Sequence, residues 1–96
     1  EAELSYRKSI ELNPNYALAH SNLGGLLRTL GEFKEAEFYV RKAIQLNPNI
    51  FESHYNLGLI LKTLWKFKDA GLSLQKAIEL NPNLAEAHFF TGRNFT

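Results

Sequence analysis

The sequence predicts an all-α fold, a helix-turn-helix solenoid of about six helices, and three observations carry that prediction. The tetrapeptide LNPN stands at residues 12–15, 46–49 and 80–83, each copy thirty-four positions after the last. Residues 17–50 overlay residues 51–84 without a gap and are identical at 17 of 34 positions. Within each unit, apolar and small residues recur at helical spacing, and no segment alternates with the period of two that a half-buried strand requires.

The chain reads as one array. Residues 1–16 overlay 35–50 and form the second helix of a partial repeat, with Ala2, Tyr6 and Ile10 on its apolar face. Residues 17–50 form a full repeat. Its first helix carries His20, Leu23, Gly24 and Leu27 at i, i+3, i+4 and i+7, a single stripe. Gly31 then supplies the left-handed residue that closes this helix. In the second helix, Ala36, Val40, Ala43 and Ile44 make the stripe, extended by Phe33 and Leu46. Asn47 precedes Pro48, whose ring disfavours a helical conformation there, so the helix stops. Asn49 is expected to cap the next helix with its side-chain oxygen. Residues 51–84 repeat the whole pattern, but Trp65 replaces the glycine of the turn. A tryptophan does not reach positive φ cheaply, so that turn is expected to be different or strained. Residues 85–96 overlay 17–28 and read as the first helix of a further partial repeat.

Composition narrows the function. Eleven basic and ten acidic side chains leave a formal charge of +1, without the basic footprint of a nucleic-acid or anionic-membrane binder. No apolar run approaches the length of a bilayer span, and the opening residues EAELSYRKSI lack the pattern of a signal peptide. There is no cysteine, hence no disulfide framework, thiolate nucleophile or cysteine-based zinc site. A cytoplasmic location is the expectation. The triplet Asn94-Phe95-Thr96 matches a glycosylation sequon, which in such a chain reads as a chance match.

The thirty-four-residue unit resembles the tetratricopeptide repeat over the whole chain. The residues that carry the resemblance are Leu23, Gly24, Ala36, Ala43 and Pro48 in one unit and Leu57, Gly58, Ala70, Ala77 and Pro82 in the next. His20, His54 and His88 stand where the family commonly has a bulky aromatic, and Leu27 and Leu61 replace its usual tyrosine. The resemblance implies a right-handed superhelix whose first helices line a concave groove, and with it a role in binding a protein or peptide partner.

At about 100° per residue, Asn22, Gly25 and Thr29 lie opposite the packed stripe, as do Asn56, Leu59 and Thr63. Asn22 and Asn56 are the leading candidates, because an amide offers both donor and acceptor to the main chain of an extended peptide. Repeated groove asparagines are similar to the peptide-holding ladder in the repeat domain of O-linked N-acetylglucosamine transferase, although Phe90 takes the third rung. Ser21, Tyr55, Leu59, Phe89 and the basic residues Arg28, Lys62 and Arg93 are expected to add selectivity, with a lean towards acidic segments. A grip on a C-terminal carboxylate, another mode of the family, is not expected: Gly25, Glu52, Glu86 and Phe90 occupy the places of its other polar or basic contacts.

No catalytic site, cofactor or metal site is expected. The histidines sit on the packed stripe one repeat apart and read as core residues, and Ser21 beside His20 faces a different way on the helix. An alternative reading is a self-assembling module. Tyr6 and Ile10 at one end and Phe89, Phe90 and Phe95 at the other would complete a repeat between copies, head to tail or by helix exchange, giving a homo-oligomer. A further alternative is an array that recruits substrates for an enzyme domain outside these residues.

Overall fold

Helices of eleven to fourteen residues are marginal alone in water, so each element of this chain must be held by a neighbour. A computed structural model describes residues 1–84. Five helices follow one another in it: α1 (Ala2–Leu12), α2 (Ala17–Thr29), α3 (Phe33–Leu46), α4 (Phe51–Thr63) and α5 (Phe67–Leu80). No strand occurs among the described residues. Each helix packs on the next, and α2 also touches α4, which is the contact pattern of a solenoid. The expectations placed on His88, Phe89, Phe90, Arg93 and Phe95 lie outside the described residues.

The two stripes predicted for each repeat meet in one core. Leu23, Leu27, Ala36, Val40, Leu57, Ile60, Leu61 and Ala70 form the buried cluster, and Phe33, Tyr39, Ile44 and Leu64 pack against it. A fully buried leucine contributes about 2 kcal/mol, and Leu23, Leu27 and Leu61 are all essentially inaccessible. Two glycines let the paired helices close up. A Cβ on Gly24 would overlap Val40 Cγ2 on α3, and one on Gly58 would stand 2.6 Å from Leu74 Cδ2 on α5. Tyr6 and Ile10, expected to form an open face, instead turn inward and pack against the cluster. The apolar side chains that α1 leaves outside are Leu4 and Leu12. Arg7 fastens α1 further: its guanidinium donates to Glu3, to Glu35 and to the Tyr39 hydroxyl, and lies 5.8 Å above the Tyr39 ring. The two carboxylates hold its pKa above the ordinary arginine value.

The LNPN loop ends a helix as expected but starts the next one differently. Asn13, Asn47 and Asn81 close α1, α3 and α5 in an extended conformation, with φ between −137° and −151°, as a residue before proline should. The second asparagine does not cap. Tyr16 and Ile50 occupy the N-cap positions of α2 and α4 without a side-chain bond, which leaves Asn15 and Asn49 one residue too early. The first asparagine takes over the polar work: Oδ1 of Asn47 accepts from the Asn49 N–H at 3.0 Å, and Asn13 and Asn81 make the same turn. His20 and His54 complete the loop from the packed side. Each ring places Nε2 2.8 Å from a proline carbonyl, that of Pro14 or Pro48.

The inter-helix turn of the second repeat is strained without being different. Gly31 has φ 85° and Trp65 φ 67°, and both turns are tied by the same pair of backbone bonds. Gly31 N donates to Arg28 O and Glu32 N to Leu27 O; Trp65 N donates to Lys62 O and Lys66 N to Leu61 O. For a residue with a Cβ this conformation costs about 1–2 kcal/mol.

Candidate functional site

The solvent-facing sides of α2 and α4 carry the residues that the sequence singled out. A shallow concavity of about 310 Å³ has Tyr6 of α1 on one side, Asn22, Gly25 and Thr29 of α2 at its floor, and Glu52 and Asn56 of α4 opposite. It meets a second concavity of about 460 Å³ at Arg28, which borders both. Leu59, Lys62, Thr63, Trp65 and Phe67 line the remainder of the second. The two together make one groove running across α2 and along α4.

The two asparagines are not equivalent within it. Asn22 is exposed and makes no side-chain hydrogen bond among the described residues, so its amide is presented whole. Asn56 is half-buried, and its Oδ1 accepts from Arg28 Nε at 3.3 Å. Its Nδ2 lies 3.0 Å from the position a Cβ would take on Gly25, so a side chain there would press the amide aside by a few tenths of an ångström. The Arg28–Asn56 bond fixes the orientation of both side chains and leaves the Asn56 NH₂ as the donor. Thr29 and Thr63 turn their hydroxyl protons back to the carbonyls of Gly25 and Leu59, at 3.1 and 3.0 Å, and offer acceptors only.

Ser21 borders the first concavity from beneath. It is 1% exposed and accepts from the fully buried Ser53 hydroxyl at 2.9 Å, a polar bond across the α2–α4 contact. Its hydroxyl is consumed in packing, because an unpaired one would be costly there. Tyr55 is half-buried on α4 and already engaged in a contact. Leu59 is half-buried, while Lys62 and Thr63 are exposed. His20 and His54 are buried beside the LNPN loops, and among the described residues no group of three metal-binding side chains comes together.

One family matches the chain over most of its length. A tetratricopeptide repeat family model matches residues 17–50, and a second one residues 51–93. The chain belongs to the tetratricopeptide repeat family. No curated protein gives a significant match. Tetratricopeptide repeats mediate protein–protein interactions, and no described helix is long and apolar enough to cross a membrane. In this tetratricopeptide repeat array His20 and His54, which depart from the family pattern, hold the loops that precede their helices.

Two features of the site escaped the sequence reading. One is the Arg28–Asn56 bond, whose only trace is a separation of 28 residues between side chains on adjacent first helices. The other is Trp65, which the sequence flags as a backbone anomaly but not as a groove residue. Its ring meets that of Phe67 edge-on, with centroids 5.6 Å apart and planes at 66°.

Proposed function

We propose that this tetratricopeptide repeat array is a binding scaffold that holds an extended peptide segment of a partner protein in the groove of α2 and α4. The observation that carries the reading is the presentation of Asn22 and Asn56 on neighbouring helices: one amide unpaired among the described residues, the other oriented by Arg28 with its NH₂ still available. Amides so placed bond to a main chain irrespective of side chains, in the manner of the asparagine ladder that the array resembles in O-linked N-acetylglucosamine transferase. Arg28 and Lys62 add a preference for acidic segments, since no carboxylate among the described residues lines the second concavity. The array acts as a scaffold and performs no chemistry of its own.

Selection from a displayed library of extended peptides tests this, comparing the native chain with the Asn22→Ala, Asn56→Ala double variant at equal helicity. Enrichment by the native chain that the variant loses supports the groove. Equal enrichment by both sinks the asparagine contacts. No enrichment, with self-association in sedimentation, moves the function to assembly of copies.

A further inference from the structure

Trp65 sits where it serves neither the backbone nor the core. Its φ of 67° is the left-handed conformation that its counterpart Gly31 adopts freely, and the side chain is 80% exposed. It therefore carries strain without the burial that usually offsets it. Strained residues of this kind cluster at ligand contacts, where the scaffold holds them in place for another purpose. Here the scaffold does hold it: two backbone bonds close the turn, and Phe67, itself 56% exposed, supports the ring edge-on.

We infer that Trp65 and Phe67 form the aromatic end of the groove, taking one aliphatic side chain of an acidic peptide segment from a partner protein. This deepens the peptide-binding reading and rests on it. Charge selects the occupant. The concavity beside the two rings is lined by Arg28 and Lys62 and, among the described residues, by no carboxylate. Lys66 in the turn and Lys68 at the start of α5 are exposed; Glu37 lies 4.0 Å from Lys66 Nζ, and Asp69 follows in the first turn of α5. At the other end of the groove Glu52 stands beside Asn56, so the acidic stretch of the peptide lies towards Trp65. An exposed ring flanked by cations contributes large contact area at low entropic cost and suits a hot spot.

The chain contains one tryptophan, so its emission reports this contact alone. The probes are short synthetic peptides of alternating Asp and Glu with one central Leu, beside controls with Ser for Leu and Lys for the acids. The expected result is a saturable blue shift with the Leu-containing acidic peptide, at least about tenfold weaker affinity for either control, and a similar loss in Trp65→Gly measured by titration calorimetry. W65G should keep or raise its urea midpoint, because glycine relieves the turn. A fall in that midpoint would make Trp65 a structural residue and overturn the inference. So would an unchanged affinity in W65G, an absence of any shift, or a shift that follows protein concentration without peptide. The two readings separate cleanly: loss of binding in Asn22→Ala, Asn56→Ala with none in W65G leaves the groove standing without its aromatic end, and the reverse leaves the aromatic end without the asparagine ladder.

Discussion

His54 and Pro48 are joined by a 2.8 Å hydrogen bond from ring Nε2 to the proline carbonyl, and His20 and Pro14 repeat it one unit earlier. The bond couples the packed face of a first helix to the loop that precedes it. The two sites differ in two respects: Nδ1 of His20 is buried without a partner among the described residues, and its ring stacks on Tyr39 at 6.0 Å. His54→Ala loses ring volume and bond together and is expected to destabilise the array by about 2–3 kcal/mol in urea unfolding. Phenylalanine keeps a planar ring of somewhat larger volume. His54→Phe should cost about 1 kcal/mol, and His20→Phe less, because it also removes the unpaired nitrogen. Equal losses at the two sites would refute this account of the histidines.

Gly24→Ala and Gly58→Ala probe how tightly the helix pairs close. An added methyl at 24 meets Val40, fully buried and unable to yield, and comes within 3.2 Å of Ala36 O. At 58 it meets the half-buried Leu74, whose side chain can swing outward. The expected loss at 24 is about 1–3 kcal/mol even after the gain in helix propensity, and smaller at 58. Thermal melts of the two variants should rank in that order.

Gly31→Ala isolates the backbone. No atom lies within 4 Å of an added Cβ, so any effect arises from φ 85° alone. A loss of about 1 kcal/mol at unchanged urea m-value is expected. An alanine that leaves the midpoint where it was would also remove the argument that Trp65 is strained.

Ser21 and Ser53 should be coupled. Replacing either by alanine strands the other hydroxyl in a dry contact, at about 1–2 kcal/mol, whereas replacing both removes the need for the bond. In a double-mutant cycle the pair should therefore cost less than the sum of the singles. Additive losses would mean that water reaches this contact.

The fold was legible because the period, the small residues at Gly24 and Ala43 and the proline in each loop are local signals that tertiary packing reinforces. The turn at Trp65 was legible as an anomaly for the same reason: positive φ is a property of one residue. What the sequence could not supply was the partner of each polar group. The cap expected of Asn49 is denied by the start of α4, because a one-residue shift in a helix boundary decides such a bond. Angular position places Ser21 near Asn22 at the groove, but only the approach of α4 shows that its hydroxyl is bonded to Ser53. The proline–histidine bond was hidden although the spacing of six from Pro14 to His20 recurs from Pro48 to His54. Spacing alone does not reveal that a loop folds back onto the helix it precedes.

None of the residues of α1 is buried, and α1 meets the rest of the fold through α2 and the reach of Arg7 to Glu35 and Tyr39. Among the described helices its amides should therefore exchange with solvent earliest, through local opening that leaves α2 to α5 in place. That helix also supplies Tyr6, one wall of the first concavity. An occupant that leans on Tyr6 must hold α1 closed, so filling the groove slows exchange along a helix that carries neither asparagine. Occupancy and the breathing of α1 are in this way two readouts of a single equilibrium.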